Sequence, residues 1–204
     1  MPTTTAPDPT SLELLAMAPF RRLTVAQYHQ MIANGILPEG EPIELIEGYL
    51  VEKMSCGETH DEVMDFLDRM LAGLIPTGWF LRSQRAITLE DSEPEPDYAF
   101  VRGVPVRNRG HHPLPNEIGL LIEISSSSLR LDRTHKARVY ARAGIPVYWV
   151  VNVVDKQIEV FTQPSGPDDA PSYAKQEVFA VGTAVPVVFD GTAVGTIAVA
   201  DVMG

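Results

Sequence analysis

One carboxylate sits inside an otherwise apolar run, and this run constrains the fold more than any other segment. The run is LLIEI at residues 120–124, with Glu123 as its charged member. A strand that is apolar on both faces is typical of the centre of a sheet that is covered on both sides. A buried, ionised carboxylate is costly unless it meets a cation, hydrogen-bond donors or a metal. Glu123 is therefore either a functional side chain or a strand-end carboxylate that reaches solvent or an arginine.

The rest of the chain alternates between helical and strand-like apolar patterns. The predicted helices are Thr24–Gly35, His60–Ile75 and Arg133–Ala143, and the predicted strands are Ile43–Ile46, Tyr49–Val51, Trp79–Leu89, Asp97–Val101, Leu120–Ile124, Val147–Val154, Ile158–Phe161 and Val178–Val188. This order predicts an α/β fold in which helices flank a mixed sheet, with an N-terminal hairpin and C-terminal antiparallel strands. Residues 1–18 have little to bury and are expected to form a disordered lead-in, so that residues 19–204 make a single domain.

Charge and composition exclude several classes of function. The net charge of −11 argues against a generally basic surface that grips nucleic acid, although a local basic patch could still do so. The single cysteine, Cys56, excludes a disulfide framework and a thiolate zinc site. No apolar run approaches the roughly 20 residues that span a bilayer, and the N-terminus lacks the features of a signal peptide. We therefore expect a soluble, cytoplasmic protein that does not associate with membranes.

Asp97 and Lys136 are the other two charged residues in unexpected places. Asp97 opens a predicted strand, so it shares a sheet end with Glu123 if the two strands are neighbours. Lys136 precedes Val139 and Tyr140 by three and four residues, which places it on the inward stripe of its helix. An ordinary explanation is open for each: an aspartate that caps a turn, and a lysine that snorkels to solvent.

Together, two acids and a lysine on two strands and a helix indicate metal-dependent hydrolysis. Two carboxylates at close range repel each other unless a divalent cation lies between them. Oxygen ligands of this kind favour Mg²⁺, for which Mn²⁺ can substitute. Such a metal lowers the pKa of its bound water and stabilises charge on a pentacovalent phosphate, and a lysine orients or deprotonates the water. This is the chemistry of phosphodiester cleavage.

The same residues belong to an ordered set of short motifs spread over residues 24–160. The motifs are Glu44–Gly48, His60, Pro96–Asp97, Leu121–Ser125, Asp132–Lys136, Tyr140 and Gly144–Val151. In this order they resemble the Uma-type restriction endonucleases, a bacterial branch of the PD-(D/E)XK nuclease superfamily. The resemblance implies a restriction-endonuclease-like core, with Asp97 and Glu123 as metal ligands and Lys136 completing the catalytic set.

The chain departs from the superfamily pattern at Ser125. The superfamily places its lysine two residues after the second acid, where this chain has Ser125. The resemblance implies that the family uses a lysine displaced to the following helix, and Lys136 is the residue that matches it. Asn152 also stands where many relatives of the family carry aspartate.

Other residues are supporting candidates, each with an alternative. Glu44 matches an upstream acid of the family and is either a further ligand or a hairpin carboxylate. His60 either approaches the site or is a polar residue at a helix start, and its position favours the second. Gln84, in a predicted strand, could hold a water or make a cross-strand hydrogen bond. Arg107 and Arg109 lie in the basic loop 102–117 and could contact phosphates, although such a cluster is more often solvated.

The leading hypothesis is a Mg²⁺-dependent endonuclease acting on DNA. The acidic net charge favours the alternative of a non-catalytic nuclease-fold module for binding or assembly, because an acidic surface repels duplex DNA. A third hypothesis is a hydrolase of small phosphate esters, which needs no basic surface. A homodimer is expected if two sites must cut two strands, although no segment of the sequence identifies its interface.

Overall fold

A computed structural model describes residues 20–38, 40–54, 57–106 and 110–204. The predicted lead-in of residues 1–18, together with Cys56, Arg107 and Arg109, lies outside the described residues. The division into a lead-in and one domain stays a prediction.

A mixed sheet of six strands forms the centre of the structure. Its strands are β3 (Trp79–Ser83), β4 (Tyr98–Arg102), β5 (Ile118–Ser125), β6 (Val147–Asn152), β7 (Gln157–Pro164) and β8 (Tyr173–Ala180), in that spatial order. β5 and β6 run parallel, and the other neighbours are antiparallel. A parallel pair needs a crossover, which the helical segment between residues 129 and 142 supplies. The predicted mixed sheet flanked by helices is confirmed.

Apolar clusters cover the sheet on both faces. One contains Val63, Leu67 and Leu71 from helix α2 (Glu58–Ala72), packed on alternate residues of the central strands. The other contains Val139 and Tyr140 from the crossover helix. All residues of β5 are buried, as the apolar run predicts for a central strand.

Smaller elements complete the fold. Helix α1 (Val25–Ala33) begins at Thr24, whose side chain and that of Gln27 form the capping box. β1 (Ile43–Ile46) and β2 (Tyr49–Glu52) make the predicted antiparallel hairpin. At the C-terminus, β9 (Ala184–Phe189) and β10 (Thr192–Ala198) make a second antiparallel pair, followed by helix α5 (Val199–Met203). None of the helices in the described chain is long and apolar enough to cross a bilayer.

The crossover helix is longer than predicted and contains a wide turn. It comprises α3 (Leu129–Leu131), a π turn (Asp132–Lys136) and α4 (Ala137–Arg142). The amide of Ala137 bonds to the carbonyl of Asp132, five residues earlier, which defines the wide turn.

Two strand predictions are wrong in extent. The strand expected over Trp79–Leu89 ends at Ser83, because Gln84 adopts a left-handed backbone with φ of 48°. Ile87 and Leu89 are buried in irregular chain instead. The strand expected over Val178–Val188 is divided at residues 181–183 into the end of β8 and the start of β9.

Candidate active site

Asp97 and Glu123 meet at one end of the sheet because β4 and β5 are antiparallel neighbours. Tyr98 pairs with Ile122, and extending this register by one residue sets Asp97 opposite Glu123. The Asp97 carboxylate also accepts a hydrogen bond from the Ile124 amide at 2.7 Å, which fixes it against β5. Both acids line a cavity of about 300 Å³. The structure therefore brings together the two acids that the sequence predicts as partners.

Lys136 enters the same cavity from the crossover helix. Its Nζ lies 3.0 Å from Glu123 Oε1, 3.4 Å from Glu44 Oε1 and 3.8 Å from Asp132 Oδ1. The residue is only 7% exposed, so it does not snorkel to solvent. Burial lowers the pKa of Lys136, but the surrounding carboxylates outweigh burial and raise the pKa well above its usual value. Lys136 is consequently an ammonium cation at neutral pH.

Negative charge exceeds positive charge in the cavity. Glu44, Asp97, Glu123 and Asp132 are all buried, and three of them, Glu44, Glu123 and Asp132, lie within 4 Å of the Lys136 ammonium. Burial raises the pKa of Glu123 far above its usual value; Lys136 opposes this shift, and the neighbouring acids reinforce it. Buried carboxylates in such excess are stabilised either by taking up a proton or by a further positive charge, and a bound cation supplies the second.

Two further side chains fix the acids. The Tyr140 hydroxyl donates to Glu123 Oε1 at 2.8 Å, and His60 Nε2 lies 3.1 Å from Asp97 Oδ1. The hydrogen bond to Asp97 raises the pKa of His60, against the opposing effect of burial. His60 is buried and borders the cavity, so it approaches the site and is not merely a polar residue at a helix start.

Glu44 and Gln84 occupy different environments. Glu44 is 3% exposed, contacts Lys136 and accepts a hydrogen bond from the Glu95 amide at 3.1 Å, so it is more than a hairpin carboxylate. Gln84 borders the cavity but is exposed and follows β3, contrary to its predicted place within a strand. Its side-chain amide donates to Met64 Sδ at 3.3 Å, and its backbone amide donates across to the Asp97 carbonyl at 3.0 Å.

The described part of the basic loop does not reach the cavity. Arg102 pairs with Asp190 at 2.7 Å and lies over the Trp79 ring at 4.4 Å. His112 faces Glu93 at 3.8 Å. Neither residue lines the cavity. The phosphate contacts expected of Arg107 and Arg109 lie outside the described residues and stay a prediction.

Sequence reasoning missed Asp132 as a member of the site. Asp132 is 1% exposed and borders the cavity. Its Oδ2 accepts a hydrogen bond from Ser125, the residue at the superfamily's usual lysine position, at 2.7 Å. The signal was present in the spacing: residues 132, 136 and 140 recur every four positions and share one helix face.

The donor chemistry of the site fits a hard divalent cation. The metal ligands that the site offers are carboxylate oxygens, which suit Mg²⁺ and Mn²⁺. Within the described ranges, no three His, Cys, Asp or Glu side chains are grouped so as to hold an ion by themselves. Mg²⁺ is commonly held by one or two carboxylates with water completing its coordination, so the two carboxylates of Asp97 and Glu123 would be enough to hold it.

The mixed sheet, with one acid just before β4, a second within β5 and a lysine on the crossover helix, has a nuclease-like fold. A solved structure from Anabaena variabilis ATCC 29413, described as "a putative nuclease belonging to DUF820", has the same fold, with a TM-score of 0.64 and 17% identity. The match covers 89% of this chain and 97% of that one. At this identity the likeness establishes the fold alone.

The profile of the Uma2 family, described as "Putative restriction endonuclease", matches residues 25–198, and the chain belongs to this family. The resemblance found in the sequence motifs is thereby confirmed. No curated protein matches the chain. Family and fold together support a nuclease.

Proposed function

We propose that the chain is a metal-dependent endonuclease that hydrolyses phosphodiester bonds of DNA, with Mg²⁺ as cofactor and Mn²⁺ as a substitute. The observation that carries the proposal is the contact between Lys136 and Glu123, 3.0 Å long, in a cavity that Asp97 also lines. A buried excess of carboxylates with one ammonium is unfavourable for stability and is typical of a site kept for catalysis.

Asp97 and Glu123 would hold the metal. When bound, it would act as a Lewis acid on the phosphate and lower the pKa of a bound water. The ammonium of Lys136 would orient water and stabilise the negative charge that develops on phosphorus-bound oxygen. Tyr140 would keep one oxygen of Glu123 in place, and His60 would do the same for Asp97.

The decisive experiment is conversion of supercoiled plasmid to nicked and linear forms by purified protein, with Mg²⁺, with Mn²⁺ and with EDTA. We expect cleavage that requires the metal. D97N, E123Q and K136M should each lower the rate by about 100-fold or more, the scale on which catalytic groups act. D201N, at an exposed aspartate remote from the cavity, is the matched control. Cleavage by wild type that persists unchanged in D97N and E123Q would refute the proposed site.

The net charge of −11 favours a second candidate, a non-catalytic nuclease-fold module that binds a partner or assembles. Salt dependence distinguishes the two. Binding to duplex DNA should weaken steeply as salt rises, whereas assembly with a protein should not. Turnover of bis(p-nitrophenyl) phosphate without any binding to duplex DNA would instead indicate a small phosphate ester as substrate.

The homodimer and the cytoplasmic location remain predictions. Light scattering on the purified protein tests the first, since a dimer would have twice the 22.4 kDa mass of the chain. Cell fractionation tests the second.

A further inference from the structure

One edge of the six-stranded sheet is long and open to solvent. β8 is the last strand in the spatial order, and among the strands of the described chain only β7 pairs with it. The other edge strand, β3, has five residues, most of them half-buried. Most of the eight residues of β8 are exposed instead, including Val178, whose exposed fraction is 53%. An edge strand of this kind offers a row of backbone amides and carbonyls to another strand.

Two opposite charges lie on one face of β8. Lys175 and Glu177 are two residues apart in the strand, so their side chains share a face. Lys175 Nζ lies 2.6 Å from Glu177 Oε2, and both side chains are about half exposed. Charges on an edge strand usually keep other strands away, because like charges that lie opposite each other destabilise a strand pair. A lysine and a glutamate two residues apart can instead complement a second copy of the same strand.

A two-fold axis through Gln176 gives this complementary arrangement. In an antiparallel pair of two β8 strands centred on Gln176, Lys175 of each copy lies opposite Glu177 of the other. The four charges then alternate in sign, and each lysine has one carboxylate beside it on its own strand and another across the interface. On the opposite face, Ala174 of each copy lies opposite the exposed Val178 of the other.

The neighbouring antiparallel registers lack this complementarity. An axis through Lys175 or through Glu177 sets that residue opposite its own copy, so that like charges face each other. An axis between Gln176 and Glu177 sets Lys175 opposite Val178, and neither charge then has an opposite charge directly across the interface. The charge pattern of β8 therefore selects one register for pairing of the strand with itself.

We propose that β8 is a dimerisation surface on which a second copy of this chain pairs antiparallel, with Gln176 on the two-fold axis. The two six-stranded sheets then form one continuous sheet. Backbone groups that face outward on the two edges bond to each other, and the contact covers Val178. The interface accommodates the homodimer that cleavage of two DNA strands would require, but the pairing of the edges does not depend on nuclease activity.

The first measurement is the mass of the purified full-length chain in solution, by light scattering and analytical sedimentation at concentrations up to about 100 µM. We expect a dimer of twice the 22.4 kDa chain mass that dissociates on dilution, which gives its dissociation constant. A chain that stays monomeric at the highest concentration would overturn the proposal, whether or not the protein cleaves DNA.

Charge reversal distinguishes this register from a general effect of net charge. K175E and E177K each turn both cross-interface pairs into like-charge pairs, so each should raise the dissociation constant about tenfold or more. Since the chain carries −11, net charge alone would make K175E weaken the dimer and E177K strengthen it. K175E/E177K exchanges the charges and should return the dissociation constant to within about threefold of wild type. K156E, at an exposed lysine outside β8, is the matched control for added negative charge.

A disulfide tests the register directly. Opposite Cα atoms in an antiparallel pair lie about 4.5–5.5 Å apart, which is within the range that a disulfide spans. In a C56S background, Q176C should therefore form a covalent dimer on mild oxidation, whereas A180C, at the end of the same strand, should not. A dimer that K175E and E177K leave unchanged, or that is crosslinked by A180C and not by Q176C, would overturn the proposed interface.

Discussion

Replacing Lys136 with methionine should cost a large fraction of the protein's stability. Methionine has a similar volume, so the change removes the charge and leaves the packing nearly intact. The ammonium is 7% exposed and has three carboxylates within 4 Å. Removing one partner from a buried ionic group typically costs about 3–5 kcal/mol, because the remaining charges are left uncompensated. For a chain of this length, 1 kcal/mol corresponds to about 2–4 °C, so Tm should fall by about 6–20 °C.

The assay is thermal and urea unfolding of wild type, K136M and the control K156M, followed by circular dichroism at pH 7.5. Lys156 is exposed in the turn before β7, so its replacement should change stability by less than about 0.5 kcal/mol. The folded pKa of Lys136 is raised, so its contribution is fully present below the unfolded value of about 10.4 and is lost as the pH rises through the folded pKa.

Low pH should reduce the loss of stability that K136M causes. As the pH falls, Glu123, whose pKa burial already raises, takes up a proton and no longer needs a cation. The difference in unfolding free energy between wild type and K136M should therefore become smaller toward low pH. If K136M unfolds at the same temperature as K156M throughout, the ammonium does not stabilise the acidic cluster and the electrostatic reasoning is refuted.

Three other perturbations test separate parts of the structure. E123Q removes one of the mutually repelling acids and keeps an oxygen that can accept from Tyr140. The free energy of unfolding at pH 7.5, measured with urea, should therefore rise by about 1 kcal/mol. A fall would contradict the excess of negative charge. Burial raises the pKa of Glu159, but the hydrogen bonds from Arg133 outweigh burial and lower it overall. Glu159 therefore stabilises the fold above the unfolded pKa of about 4.3, and this contribution is lost as the pH falls through the folded pKa. E159Q should accordingly be less stable at pH 7 and show a shallower loss on acidification; parallel pH curves for E159Q and wild type would count against this. A Cβ at Gly119 would lie 2.5 Å from the Trp79 ring. G119A should therefore destabilise the fold by about 1–3 kcal/mol and change the tryptophan fluorescence. An unchanged thermal unfolding curve would show that the ring moves aside at no cost.

The sequence predicted the centre of the site because single residues there contradict their surroundings. Glu123 within an apolar run and Lys136 on an apolar stripe could each be identified without knowledge of the fold, since charge in a core is rarely accidental. Their meeting with Asp97 depended on which strands are neighbours. That information came from the family resemblance and was confirmed by the register of β4 and β5.

The parts of the fold and of the site that the sequence did not predict depend on backbone conformation and on long-range contacts. The alternation of residues 79–89 suits a strand, but the left-handed backbone of Gln84 ends β3. The chain that follows meets the N-terminal hairpin only through an isolated bridge between Leu45 and Glu93. Asp132 was missed because an aspartate near a helix start usually has a simpler explanation. Its burial and the hydrogen bond from Ser125 show that its side chain points inward.

The π turn between Asp132 and Lys136 acts as a phase adjustment in the crossover helix. The turn closes with a five-residue bond, from the Ala137 amide to the Asp132 carbonyl, where an α-helix closes with a four-residue bond. It therefore takes up one residue more than an α turn does. Deleting one residue within it would let the crossover close as a regular α-helix, with Val139 and Tyr140 still packed on the sheet. Sequence alignments of related chains should therefore place a single-residue length difference in the crossover at this turn.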